Sequence, residues 1–251
     1  MAQEIILEIC ADSITSSLEA ARGGAHRIEL CAALPVGGLT PSAGTIALVR
    51  EQVALPLHVL IRPRSGDFYY SAEEFAIMRQ DILTAKKLGA DGVVLGLLRP
   101  DGTIDLDRTA ELVQLARPMS VTFHRAFDVC ADPFGALEEL MGLQVDRLLT
   151  SGQQPTAPLG TALIAALVKQ AAGKITVMPG AGLNDKNIEA LIRETGVREV
   201  HMSLSQQTKS PMTFRRPQVK MGGTLPESEY DHYQADGARI SQIIHKLKDI
   251  P

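Results

Sequence analysis

Val121-Thr122-Phe123-His124-Arg125-Ala126-Phe127-Asp128 reads as a buried strand that ends in chemistry. Its apolar and β-branched positions suit a pleated, buried surface, yet it closes on His124, Arg125 and Asp128, polar groups that a buried strand does not carry without a use. Four residues further on, Asp132-Pro133 supplies a helix N-cap and a proline at the first helical position. The polar cluster therefore falls in a strand-to-helix connection.

The same arrangement recurs on both sides. Strand patterns occupy residues 4–10, 26–31, 57–62, 93–98, 121–128, 147–150, 175–178 and 199–204. Helix signals follow each: Asp12-Ser13, Thr40-Pro41, the capping box Ser71-Ala72-Glu73-Glu74, then patterns over 107–116, 133–141, 159–172, 184–195 and 238–247. Eight strands each followed by a helix, joined by right-handed crossovers, predict an α/β protein of the (β/α)8 TIM barrel type. The whole chain, 1–251, is expected to be one domain, with a long loop at about 205–236 before the last helix. A weak internal repeat agrees: a glycine that ends a helix, then a polar residue, introduces each even strand at Gly24-Ala-His-Arg-Ile, Gly89-Ala-Asp-Gly-Val, Gly142-Leu-Gln-Val-Asp-Arg-Leu and Gly196-Val-Arg-Glu-Val.

A chain of 251 residues that is 45% hydrophobic can bury a large core. Its net charge of −4, with no segment dense in Lys or Arg, leaves no electrostatic footprint for nucleic acid or an anionic membrane. The N-terminus has no basic leader, and the longest near-apolar run, 159–168, is too short to cross a bilayer. Three cysteines, an odd number, fit a reducing cytoplasm better than a disulfide framework. A small molecule or a metal is the expected partner.

Alternation of side chains along a strand lets one charged residue fix the parity of the rest. A carboxylate between strand and helix would be an unpaired buried charge, so Glu8 faces the lumen with Cys10, and Glu29 with Cys31. Adjacent parallel strands lie about 4.8 Å apart, which lets the two thiols approach. The same parity turns His58, Leu60 and Arg62 inward on the third strand, Thr122 and His124 on the fifth, and Glu199, His201 and Ser203 on the eighth. The rim then gathers Glu8, Glu29, Arg62, His124 and His201 as candidate catalytic groups. Charges of both signs around a water-restricted mouth suit acid/base work, with Arg62 as clamp for an anion. Ion pairs that fill a lumen would use the same residues, but these charges are read at the C-terminal ends of the strands, where barrel enzymes keep their sites.

Two further loops carry weaker signals. Thr150-Ser151-Gly152 and Pro179-Gly180-Ala181-Gly182 offer hydroxyls and bare backbone, so Ser151, Gly152, Gly180 and Gly182 form a candidate anion or phosphate site, with a plain tight turn as the alternative. The loop after the third strand holds Phe68, Tyr69 and Tyr70, three of the ten aromatic residues, and suits a lid over the mouth or a self-association patch.

Leu-Glu-Ile-Cys-Ala-Asp-Ser at 7–13, Arg-Ile-Glu-Leu-Cys at 27–31, Gly-Gly-Leu-Thr-Pro-Ser at 37–42, Ile-Arg-Pro-Arg-Ser-Gly-Asp-Phe at 61–68, the 121–128 stretch, Leu-Thr-Ser-Gly and Met-Pro-Gly-Ala-Gly-Leu together resemble the CutC copper homeostasis family over nearly the whole chain. The resemblance implies a cytoplasmic TIM barrel associated with copper tolerance, a homodimer or larger homo-oligomer, and copper as Cu(I) on Cys10 and Cys31; Cys130 falls outside the shared pattern. Two thiolates are suitable soft ligands for Cu(I). Their neighbours are hard: Glu8, Glu29, Arg62 and the Pro-Gly-Ala-Gly turn look equipped for a small anionic or phosphorylated metabolite. The alternative expectation is accordingly a lyase, isomerase or hydrolase in which His124 and Glu29 or Glu8 exchange protons while Arg62 and the Gly180 loop hold the anion.

Overall fold

Eight short strands, all paired in parallel, are β1 (Ile6–Ala11), β2 (Arg27–Leu30), β3 (Leu57–Leu60), β4 (Gly92–Leu95), β5 (Ser120–Phe123), β6 (Arg147–Thr150), β7 (Thr176–Pro179) and β8 (Glu199–Met202). This computed structural model describes residues 4–219 and 230–250. Hydrogen bonding runs β7-β6-β5-β4-β3-β2-β1-β8, and β7 lies beside β8, so the sheet curls into a nearly closed TIM barrel. Helices α1 (Ile14–Arg22), α2 (Ala43–Gln52), α3 (Ala72–Lys87), α4 (Leu106–Ala116), α5 (Pro133–Gly142), α6 (Thr161–Ala171), α7 (Ile188–Thr195) and α8 (Gly237–Lys248) ring it.

Side-chain caps start most of these helices. Ser13, Ser42, Asp105, Asp132 and Asp236 each accept a first-turn backbone N–H, and Ser71 with Glu74 closes the full capping box. At α2 the cap is Ser42 rather than Thr40, because the Thr40 hydroxyl is spent on the N–H of Arg62, 2.9 Å away. Helix α6 begins at Thr161, later than the apolar run suggests, since Pro158 holds residues 157–159 in a 3-10 turn. Helix α7 begins at Ile188, because Asn184 and Asn187 bond one another and the Gly182 carbonyl in a turn of their own.

The segment expected as a long loop at 205–236 instead carries an antiparallel hairpin, β9 (Ser205–Lys209) with β10 (Asp231–Ala235); residues 220–229 of that expectation lie outside the described residues. Ser205-Gln-Gln-Thr-Lys has no apolar alternation to announce a strand.

Two apolar regions result. Outward strand residues such as Leu7, Ile28, Val59, Leu95, Phe123, Leu148, Val177 and Val200 pack with Val49, Ile82, Leu112, Leu137, Leu167, Leu191 and Ile240 of the helices in one continuous core. Each fully buried side chain of this kind contributes roughly 1.5–3 kcal/mol. Inside the barrel Cys10, Cys31, Leu60 and Val94 form a separate small cluster.

The internal repeat has a structural meaning. His26 accepts the Leu7 N–H on Nδ1 (2.9 Å) and returns its own N–H to the Leu7 carbonyl (3.0 Å). Asp91 closes the same ring with Leu57 (2.8 Å each way), and Asp146 with Val121 (2.7 and 3.0 Å). The polar residue before each of these even strands thus pins the foot of the preceding odd strand. Gly24, Gly89 and Gly196 hold positive φ of 85°, 83° and 72°, as helix-ending glycines should; in the third unit Gln144 takes that conformation (58°) and Gly142 remains in α5.

Candidate functional site

Inside the barrel, the charged side chains form two tiers. The lower one starts at strand feet. Arg27, the first residue of β2, bonds Glu8 through Nε and Glu199 through Nη2 (2.5 Å), and Arg147 reaches the same Glu199 oxygen at 2.8 Å. Arg27 and Glu8 are almost wholly buried, so this chain of alternating charges compensates itself in a low-dielectric interior. Charge is therefore not confined to the strands' C-terminal ends, contrary to the sequence reading. Arg27 and Arg147 went unassigned there, although Arg27 stands two residues from Glu29 and must share its face.

Above this tier, His201 spans two carboxylates: Nδ1 lies 2.8 Å from Glu8 Oε1, and Nε2 lies 3.7 Å from Glu29 Oε2. Burial opposes the charged form of Glu8, but Arg27, His201 and His58 outweigh it and hold the carboxyl well below its usual range. Glu29 shifts the other way: burial, helped by repulsion from Glu8, raises it despite His201. Burial lowers His201, yet the two carboxylates prevail and its imidazole is raised. Two acidic groups one strand apart are thus separated in acidity by their surroundings. That is the condition acid/base chemistry needs. His58 lies 3.8 Å from Glu8; burial, with Arg27 and Arg147, lowers it to about 4.

A cavity of 170 Å3 opens over this tier, lined by Cys10, Glu29, Leu34, Gly37, Leu60, Arg62, Phe68, His124, Arg125, Leu149 and His201. Four of the five expected catalytic groups, Glu29, Arg62, His124 and His201, line it together, and Glu8 supports His201 from beneath. Cys10 Sγ lies 3.7 Å from Cys31 Sγ, both thiols free and buried. The Cys31 contact, burial and Glu29 together push the Cys10 thiol well above its usual range. One atom each of Cys10, Glu29 and His201 lies within 4.8 Å of the others, close enough to share an ion.

Arg62 is buried and has no carboxylate partner among the described residues. It bonds the carbonyls of Val36 (3.0 Å), Gly38 (2.9 Å) and Gly66 (2.9 Å), tying together the loops after β2 and β3. Phe68 of the second loop stacks between cation and imidazole, 5.1 Å from the Arg62 guanidinium and 5.0 Å from the His124 ring. His124 follows β5 and caps the 3-10 turn Arg125–Val129, its Nδ1 accepting the Ala126 N–H at 3.1 Å. Gly96 leaves room for that ring: a Cβ there would stand 2.5 Å from it.

Ser151, Gly152, Gly180 and Gly182 stand beside the mouth, and none of them lines the cavity. Asp128 already accepts from the N–H groups of Ser151 (3.0 Å) and Gln153 (3.2 Å) and from the hydroxyls of Thr150 (2.5 Å) and Ser151 (2.9 Å), with Arg125 at 2.7 Å on its outer side. The protein's own carboxylate thus sits where an external anion was expected. Gly152 presses on the backbone of Gly160, Gly182 on Thr156, and Gly180 makes room for Leu149 and His201. Larger in volume, a shallow depression of 820 Å3 at the opposite end is lined by Arg117, Asp146, Arg147 and Lys174; it shares no residue with the mouth.

Among the described residues no helix is long and apolar enough to cross a membrane. The CutC family matches residues 5–206. A family protein CutC of Porphyromonas gingivalis is 49% identical over 244 residues, covering 97% of this chain and 98% of its own. The human copper homeostasis protein cutC homolog is 44% identical over 249 residues, 99% of this chain and 91% of its own. A crystal structure of CutC from Streptococcus agalactiae superposes with a TM-score of 0.76 at 33% identity, over 79% of this chain and 98% of that one. Phosphoribosylanthranilate isomerase of Thermotoga maritima, 12% identical with a TM-score of 0.59 over 98% of this chain and 99% of that one, shares the fold alone. With its barrel, its paired thiols and these relatives taken together, the chain belongs to the CutC family.

Proposed function

We propose that this protein serves copper homeostasis by binding copper as Cu(I) through the thiolates of Cys10 and Cys31, in the cytoplasm and as a homo-oligomer. One observation carries the reading: two unoxidised sulfurs stand 3.7 Å apart inside the barrel mouth. At metal–sulfur distances of about 2.3 Å, as in thiolate sites generally, two sulfurs on one ion are at most about 4.6 Å apart, so the donor set fits a soft cation without rebuilding the strands. The Cys31 contact, burial and Glu29 hold the Cys10 thiol protonated, so ligation through it releases a proton and strengthens as pH rises. His201 and Glu29 stand beside Cys10 and are placed to take up a released proton or add a donor.

Anaerobic competition against a chromophoric Cu(I) chelator tests this. Wild type is expected to take one Cu(I) per chain and the Cys10→Ser/Cys31→Ser variant none; unchanged uptake in the variant removes the reading.

A second reading is favoured by a specific observation. The cavity is also lined by Arg62, a buried cation with no carboxylate partner among the described residues, and by His124, whose buried Nε2 has no partner among them, and thiolate ligation of copper uses neither. These suit a small anionic metabolite, with Glu29 as the group able to carry a proton to or from it. Metabolite anions should raise the melting temperature of wild type more than that of Arg62→Ala. If none does so, no anion site exists there.

A further inference from the structure

Resting on the second reading above, we propose that His124 acts as a fixed Nε2–H donor that receives a carboxylate oxygen of a short-chain organic acid bound in the mouth cavity. Geometry assigns the tautomer. The Ala126 N–H points at Nδ1 from 3.1 Å, so Nδ1 must offer a lone pair and the ring's proton must sit on Nε2. Burial and the Arg62 charge hold the imidazole neutral, lowering it to about 3. His124 is therefore unsuited to take a proton from a ligand, and the proton exchange expected of it from sequence gives way to donation.

That donor has no partner. Nε2 of His124 is fully buried and bonds nothing among the described residues, although a buried donor left unsatisfied is destabilising. The ring is prevented from turning to find one, since Gly96 and Phe68 pack against it and Ala126 holds its other nitrogen. The same space is lined by the Glu29 carboxyl, whose pKa burial raises, and by Arg62, which spends three bonds on neutral backbone carbonyls and meets no carboxylate among the described residues. An unpaired buried donor beside an uncompensated buried cation calls for an anionic acceptor.

Size and lining narrow the class. At 170 Å3 the cavity is smaller than the several hundred Å3 usual for drug-sized ligands, which suits a short organic acid. Leu34, Leu60 and Leu149 offer apolar wall to a short carbon chain.

Nitrogen-15 histidine labelling of the full chain tests the inference, with long-range proton–nitrogen correlations reporting each ring nitrogen and the His124→Gln variant supplying the assignment. The expected result at pH 7 is a neutral His124 protonated on Nε2, whose Nε2–H moves downfield and saturates on titration with pyruvate or acetate. Methylammonium should leave it in place, and Arg62→Lys should weaken the pyruvate response at least tenfold. Protonation on Nδ1, or a doubly protonated ring, overturns the inference from the wild-type spectrum alone, whatever the variants do. Inorganic phosphate moving Nε2–H where the carboxylates do not overturns the ligand class. Pyruvate binding that depends on Arg62 and leaves Nε2–H unmoved refutes the role of His124 while the anion-binding reading stands; absence of any binding removes both.

Discussion

Nε2 of His201 lies 3.7 Å from Oε2 of Glu29, while the same ring's other nitrogen is bonded to a second carboxylate. The imidazole therefore shields two like charges from each other inside the barrel, and Glu29, the one further from Arg27's direct reach, is left as the carboxyl that holds a proton more readily. The lower charge tier is thus bound up in its own ion pairs, while Glu29 of the upper one lines the mouth cavity.

Arg27 bridges Glu8 and Glu199 from the foot of β2. Arg27→Met should cost about 3 kcal/mol or more in urea unfolding, because two carboxylates lose a shared partner in a buried setting. Combining it with Glu8→Gln should cost less than the sum of the two. Strict additivity would show that the residues do not act as one network.

His124 and His58 are held at about 3 and about 4, against about 6.5 in an unfolded chain. Above pH 6.5 neither state binds the proton. As pH falls below that value the unfolded chain takes it up and the folded protein does not, so stability is lost progressively from about pH 6.5 towards 3, at up to about 1.4 kcal/mol per pH unit for each ring. Urea midpoints between pH 4.5 and 6.5 should show a shallower slope in His124→Gln than in wild type. An identical slope would mean that His124 protonates freely in the fold.

Asp128 holds four donors, one from Thr150 at the end of β6 and three from the loop after it, together with Arg125. Asp128→Ala should lower stability by at least about 2 kcal/mol through the orphaned amides. Acetate should recover part of that loss in the variant and none in wild type, as followed by thermal melting. Equal acetate effects in the two proteins would dissociate the Ser151 cluster from anion binding.

Gly96 faces His124 so closely that an added methyl would stand 2.5 Å from the ring and 2.9 Å from the Ala126 Cβ. Gly96→Ala should cost about 1–3 kcal/mol by overpacking and displace the imidazole. The 15N signature of His124 reads the displacement directly; an unshifted ring would show that the wall yields instead.

The strand positions were legible because charged residues cannot face the helices: parity fixed by residues such as Glu8 and Glu29 turned Cys10, Glu29, Leu60, Arg62, His124 and His201 inward, and these line one cavity. Less was legible where a residue's partner lies far along the chain. Arg27 meets Glu199 from 172 residues away, and although its spacing from Glu29 turns it inward, nothing local names that partner. Asp128 posed the opposite difficulty, since Asp, Ser and Gly in two loops read as a site for a ligand until their mutual bonds are seen. Thr40-Pro41 read as the start of α2, and the cap passes to Ser42 because the backbone of Arg62 takes the Thr40 hydroxyl, an interaction across two loops.

His26, Asp91 and Asp146 each lace the foot of one strand to the residue that introduces the next. Around the ring the fourth place, before β8, is held by Arg198, whose guanidinium has no lone pair with which to accept an amide proton and whose carbonyl instead accepts the Ile6 N–H at 2.9 Å. That is also where the ladder of parallel strands stops, between β7 and β8. The cylinder therefore has a built-in seam, and amide exchange from the native state should begin there, well before the laced pairs open.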